Sequence, residues 1–532
     1  MWRRLTHNTL KYTWFILRRD RIRILIWLFS LLLVSLAVVP YFHQLTKSGE
    51  AKAMAETMNN PAVIAMVGIP YGIDEYNTGP MLAHEMLLFT AITVAVMNIL
   101  MVTRHTRGDE ESGCTEMLRS LPVGRLSNLC GTLLFAAGVN TAMALLIGLG
   151  LYAFGIESID LAGSLLYGAA LGATGIIFAA ITALCAQLSA NSRSTTGYSF
   201  AILGVMYITR AIGDVSNETL AWFSPLGWVL RTQVYVNNYW WPIILTLIAA
   251  LAVTVAAIYL NSIRDLGASF ISPKPGRKTA SPLLHSPLGL TGRLLRPTII
   301  GWAVALLILS AAYGAVFNDI QRYFDSNELV RQMLSPVAEY TITEQFMTLL
   351  MMIMAMAAAI PSALLIFRLK GEENSNRIEH IYSRAVSRSQ YLGSYLTLSL
   401  ASGVAMLFLT ALGMWSAAVG VMDDPIAFSS FLLGAMIYLP ALWVVTGLAT
   451  FLVGIAPKLS SLVWVYMGHS FFVGYFGALL KLPRWLIKTS LFEHVPRLPV
   501  DDMNFTVIAV MTAIAIVLAA LGFVGYNRRD IG

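Results

Sequence analysis

Charge is what this 532-residue chain has least of: 12% of its residues are charged, against 57% hydrophobic. Soluble domains carry roughly 25% charged residues, so a soluble fold is excluded. The mean hydropathy of +0.68 points the same way. Cysteine is scarce too, with Cys114, Cys130 and Cys185 the full set. So few argue against a disulfide framework, and all three are expected to be reduced thiols. There is no G-x-x-x-x-G-K-[ST] phosphate loop; "PGRKT" at 275–279 comes nearest, but it lacks the first Gly and follows no strand. The sequence therefore reads as no ATPase, and ATP hydrolysis, if used, belongs to another subunit. His, Cys and acid clusters at metal-ligand spacing are missing as well. No A-x-A-like site follows the first apolar run, which argues against a cleavable leader.

What the chain does have is long apolar runs. Twelve are long enough to cross a bilayer core of ~30 Å: 24–42, 81–103, 129–154, 162–188, 195–213, 241–260, 298–317, 345–367, 391–415, 426–455, 460–480 and 505–526. In lipid each must be a helix, because unpaired backbone groups find no water there. The expected fold is an all-α integral membrane protein with twelve transmembrane helices. With the N-terminus placed in the cytoplasm and sides alternating, inner segments hold 26 of the 36 Lys and Arg but 10 of the 29 acids. That is the positive-inside pattern, and it explains the basic balance without any nucleic acid. Both termini are then cytoplasmic.

Two charged segments, "RGDEESGCTEMLRSLPVGR" (107–125) and "KGEENSNRIEHIYSRAVSR" (370–388), follow nearly one template 263 positions apart. Gly108 falls on Gly371, Asp109 and Glu110 on Glu372 and Glu373, Glu116 on Glu379, and Arg125 on Arg388. Likewise "RDLG" at 264–267 matches "RDIG" at 529–532. Twelve spans thus divide into two six-helix halves, 1–260 and 298–532, joined by a cytoplasmic linker at 261–297. An even number of spans per half makes them parallel repeats. The linker core "SPKPGRKTASP" reads as flexible. Each half opens with a basic amphipathic segment: Trp2, Leu5, Leu10, Trp14 and Leu17 among Arg3, Arg4, Lys11 and Arg18, then Leu284 to Leu295 among Arg293 and Arg296. Such segments lie along the membrane surface or serve as plain topogenic flanks. The outer stretches 214–242 and 482–502 read as short re-entrant or interfacial helices, or as an aromatic belt. Gly168, Gly172 and Gly175 predict close helix packing, and Pro361 and Pro440 predict kinks.

The repeated loops run to about 20 residues, too long for simple turns. Gly108 and Gly371 are expected to break the chain, with a short amphipathic helix after each. Cys114, Met117, Leu118 and Leu121 share one face of the first; Ile378, Ile381, Tyr382 and Ala385 share one face of the second. Acids in the first turn favour the helix dipole. A single loop of this kind could be a solvated acidic turn, whereas two at matching positions suggest duplicated docking surfaces for a soluble partner. Elsewhere His469 is expected to be a hydrogen-bonded packing residue. Arg210 is a candidate partner for Glu85 or Asp214, while His84-Glu85 and Glu344-Gln345 lie near the outer interface.

The loop pattern "EExxGRxE…R" resembles the permease subunits of type 2 ABC exporters. It resembles most the fused permeases of the polyketide-antibiotic or multidrug exporter kind from Gram-positive bacteria. The residues that carry it are Asp109, Glu110, Gly113, Glu116 and Arg125, then Glu372, Glu373, Arg377, Glu379 and Arg388. "SPLGW" (224–228), "RDLG" (264–267) and "SPLGL" (286–290) followed by Trp302 add to it. Asp109 stands where the family has Glu, Cys114 where it has Arg, Asn376 where it has Gly, and Arg529-Asp530 is simply the chain end, so the two loops are expected to differ in strength. The resemblance implies two copies of a cytoplasmic ABC ATPase, carrying ATP and Mg, one engaging each loop and N-terminal segment. It implies export of an amphipathic or hydrophobic small molecule across a bacterial cytoplasmic membrane. It also implies a pathway lined by the first, second and fifth helices of each half. Carried over by position, that gives Phe89, Met97, Phe200, Met206 and Tyr207, with Met347, Met351, Met354, Trp464, Met467 and Phe471 as counterparts. Met and aromatic linings suit promiscuous apolar ligands.

The rival reading is a proton-coupled secondary drug transporter, which would carry a basic "GxxxDRxGRR" loop after its second span and acids in mid-helix; neither is present. An ABC exporter of lipid or peptide also fits the apolar path. A lipid-modifying membrane transferase would need an acid or His cluster near one interface, and none is convincing.

Overall fold

The computed structural model describes residues 5–49, 51, 55, 58, 61–271, 278–317, 341–375, 377–422, 425–476 and 483–530. Among these residues it is helical throughout, with no strand, as an all-α membrane protein requires. Two compact units, Met1–Gly276 and Arg277–Gly532, divide the chain. The linker core at 272–277 lies outside the described residues, as do Trp2, Arg3, Arg4 and Asn376.

In the first unit the long helices are α1 (Thr9–Ala37), α4 (Thr78–Thr103), α6 (Ser127–Tyr152), α7 (Leu161–Leu188), α8 (Ser192–Val215) and α11 (Trp241–Ile263). Between them come α2 (Val39–Ser48), α3 (Pro61–Val67), α5 (Cys114–Arg119), α9 (Glu218–Ala221) and α10 (Pro225–Leu230). Tyr12, Ile16, Asp20 and Ile24 of α1 are buried at four-residue spacing, which sets one face of the helix against α6. The basic amphipathic segment is therefore no separate surface helix; from Thr9 onward it is the opening of α1 itself. α7 is the central helix and packs on α4, α6 and α11. Its small residues permit this: a Cβ on Gly168 would stand 2.1 Å from the Ala144 carbonyl oxygen, and one on Gly175 would stand 1.9 Å from Asn140 Oδ1. Beside Gly175, Asn98 of α4 and Asn140 of α6 donate their amides to each other at 3.0 and 2.8 Å. That pairing satisfies two polar groups that have no water at this depth.

The second unit contains α12 (Pro287–Gly314), α13 (Ile342–Asn374), α14 (Glu379–Tyr382), α15 (Arg388–Val421), α16 (Phe428–Met436), α17 (Leu439–Ile455), α18 (Leu462–Phe476), α19 (Arg484–Ile487) and α20 (Phe505–Arg528). α12 packs on α15, α13 on α17, and α17 on α20. These are the neighbour relations of α1 with α6, α4 with α7, and α7 with α11. α17 and α20 meet through Gly454 and Gly522, where a Cβ on the former would stand 2.1 Å from the latter's carbonyl oxygen. The second amphipathic segment likewise runs into α12, from Pro287.

Ten helices among the described residues are long and apolar enough to cross a membrane, fewer than the twelve expected runs. The fifth and eleventh runs fall short. α8 has the length, but Ser, Thr and Arg fill its first turns and Arg210 and Asp214 its last. α18 is described over 15 residues, and the end of its run lies in 477–482, outside the described residues. Pro440 lies inside the span Phe428–Ile455, as expected. The span is interrupted just before it, at Ile437–Tyr438, and Pro440 occupies the first turn of α17, where its missing N–H costs nothing. The outer stretches hold the short helices α9, α10 and α19.

Candidate functional site

α4 does not stop at the membrane end. It runs on through a π-helical turn, Arg104–Gly108, into a helical turn over Asp109–Glu111. Gly108 therefore breaks nothing: its φ is −61°. The break comes at Gly113, whose φ of 74° is a left-handed value that glycine adopts without strain. Gly371 likewise sits inside α13, which ends only at Asn374. The expected glycine breaks are thus misplaced by a few residues. A helix that starts apolar and turns charged loses its lipid signal long before its backbone hydrogen bonds run out.

This continuation aims two neighbouring acids at different helices. Asp109 is buried and accepts from Arg19 of α1 at 2.7 Å, beside His105, whose Nε2 lies 2.9 Å from Asp20 Oδ2. Glu110 turns toward the end of α11. It accepts from Arg264 Nη2 at 2.5 Å and from Arg107 Nη1 at 2.7 Å. Arg107 is nearly sealed from solvent and also donates to the Ala186 and Ala268 carbonyls, each at 2.6 Å. Arg125, at the far end of the loop, donates to the Arg264 carbonyl at 2.7 Å. The loop is thus clasped to the "RDLG" segment from both of its ends.

The second unit repeats the clasp. Glu373 pairs with Arg529, and Arg388 Nη1 donates to the Arg529 carbonyl at 2.6 Å. Glu372 is buried between Arg368 at 2.7 Å and Arg377 at 3.1 Å. The Tyr382 hydroxyl lies 2.8 Å from that of Tyr526; burial pushes the Tyr382 phenol above its ordinary pKa, so it stays protonated and holds that bond. Asp109 and Glu372 therefore differ: the first reaches back to α1, the second only to its own helix and loop. Of the remaining loop residues, Glu116 and Glu379 are exposed, together with Met117, Leu121 and Arg384. Sequence reasoning named Arg264 and Arg529 as a repeat but not as partners of the acids. Pairing two repeated motifs of opposite charge was the available signal. Arg19, Asp20 and His105 occur in the first half alone and gave none.

The residues carried over as a substrate path scatter between core and surface. Met97, Met347, Met351, Met354 and Met467 are buried inside their units. Phe89, Phe200 and Phe471 are exposed. Met206 and Tyr207 are half-buried; the Met206 carbonyl accepts from Ser224 at 2.7 Å, and Tyr207 donates to the Met66 carbonyl at 3.1 Å. Trp464 meets Phe367 edge-on at 5.5 Å. Arg210 pairs with Asp214 at 3.3 Å, and Arg231 shares that carboxylate at 3.2 Å. Asp214 is thus its partner here. His469 lies 2.6 Å from the Thr489 hydroxyl, the packing role expected of it.

A family model described as "Multidrug efflux system permease Rv1217c, C-terminal domain" matches residues 13–260 and 284–527. Those stretches hold both charged loops and stop just short of their partners Arg264 and Arg529. The multidrug efflux system permease protein Rv1217c of Mycobacterium tuberculosis (strain ATCC 25618 / H37Rv) is 36% identical over 521 residues, 97% of this chain and 94% of that protein. A bundle of membrane-length helices with its charged loops tied back in duplicate, matched over nearly its whole length, belongs to the multidrug efflux system permease family.

Proposed function

We propose that the chain is the permease subunit of an ATP-driven exporter that moves amphipathic or hydrophobic drugs or antibiotics out of a bacterial cell. In this reading α8 and α18 complete twelve spans in two parallel six-helix repeats, with both termini in the cytoplasm. Two copies of a separate cytoplasmic ATPase bind ATP and Mg and press on the repeated loops. The duplicated clasp carries the reading. Burying charge costs several kcal/mol per ion unless it is well paired, and a solvated turn has no use for it. A clasped loop is stiff, so displacement beneath it passes to the second and sixth helices together. The exposed Glu116 and Glu379 are left for the partner.

Purified alone, the chain is expected to hydrolyse no ATP; isolated from its native membrane, it should bring a cytoplasmic ABC ATPase with it. Glu116→Lys combined with Glu379→Lys should release the ATPase and leave membrane insertion intact, because neither carboxylate is buried in the clasp. Full drug export by the chain alone, in vesicles energised only by an ion gradient, would overturn the proposal.

A further inference from the structure

A cavity of about 220 Å³ opens between α1, α4 and α6 in the first unit. Part of its lining is apolar, with Trp27, Met97 and Leu100, and such a wall holds water poorly. Its rim is different. Arg23 and Arg104 both reach the same oxygen of buried Asp20, at 3.4 and 3.5 Å, while the other oxygen is taken by His105 at 2.9 Å. Two guanidiniums thus share one carboxylate oxygen at long range. Each has five N–H donors, and their side chains remain 57% and 41% exposed. The rim carries positive charge beyond what Asp20 neutralises.

Depth fixes what can sit there. Arg23 immediately precedes the first apolar run and Arg104 immediately follows the second, so both stand at headgroup level in one leaflet, whichever side that leaflet faces. We propose that this cavity is a binding site for an anionic phospholipid, its phosphate held between Arg23 and Arg104 and its acyl chain lying along Trp27 and Leu100. Guanidinium groups match phosphate oxygens in a fork, and basic pockets between membrane helices take anionic headgroups. A choline headgroup would set its own cation against the arginines. The site does not depend on the energy source proposed above.

The test uses the full chain in phosphatidylcholine bilayers doped with lipid brominated in its acyl chains, which quenches tryptophan on contact. The emission of Trp27 is isolated by subtracting a Trp27→Phe variant. Brominated phosphatidylglycerol is expected to quench Trp27 at a lower mole fraction than brominated phosphatidylcholine, by roughly fivefold per arginine. R23Q/R104Q should erase that preference, and R23K/R104K should keep most of it. Equal quenching by the two lipids in the unaltered chain, or a preference that survives R23Q/R104Q, would overturn the proposal. So would loss of the preference on adding inorganic phosphate, which would make the site one for free anions.

Discussion

Glu110 meets Arg264 and Arg107 with all three side chains less than a tenth exposed, so the charges compensate each other rather than water. Glu110→Gln keeps the size and removes the charge, leaving two buried guanidiniums to repel. The expected loss is roughly 3–5 kcal/mol, read as a lower unfolding midpoint in detergent. Glu373→Gln should cost less, about 1–2 kcal/mol, because Arg529 and Glu373 keep 20% and 15% of their side-chain exposure. Equal losses would mean that burial does not govern the clasp. In the membrane interior Asn98→Leu leaves Asn140 Oδ1 without its donor, while the Asn140 N–H keeps the Ala136 carbonyl, and should cost roughly 1–2 kcal/mol. Gly168→Ala forces a Cβ onto the Ala144 carbonyl and should cost about 1–3 kcal/mol. Both are measurable in the same melt.

At the scale of elements, the apolar runs located ten membrane-length helices, because a bilayer demands a length and a composition that sequence states openly. Where those helices end was not legible. α4 and α13 run past Gly108 and Gly371 because charged residues outside lipid remain good helix formers. The loop acids were legible as a repeat but not as internal partners, since their arginines lie 154 and 156 residues away. The tie between Asp109 and Arg19 was invisible, having no counterpart in the second repeat. That tie predicts an asymmetry between variants. Arg19→Gln should slow drug export while leaving co-purification of the proposed ATPase unchanged, whereas Arg368→Gln should leave α12 undisturbed and export closer to normal. Export of a fluorescent drug from inverted vesicles, alongside pull-down of the ATPase, separates the two.

For the molecule as a whole, membership of a multidrug efflux permease family follows from similarity along nearly the entire chain. The skew of basic residues predicts a sidedness that can be tested directly. In a cysteine-free background, Glu157→Cys should react with an impermeant thiol reagent in intact cells, and Ser120→Cys only after permeabilisation; both positions are exposed. The opposite pattern would invert the topology. The adjacent pair Asp109-Glu110 grips α1 with one carboxylate and the end of α11 with the other, while sitting on the extension of α4. A push beneath it is therefore spread over three helices, and a push beneath Glu372-Glu373, among the described residues, over two. Under the proposed ATPase pair, identical strokes should then give unequal travel, as through a gear train, with a stiff first half and a more compliant second.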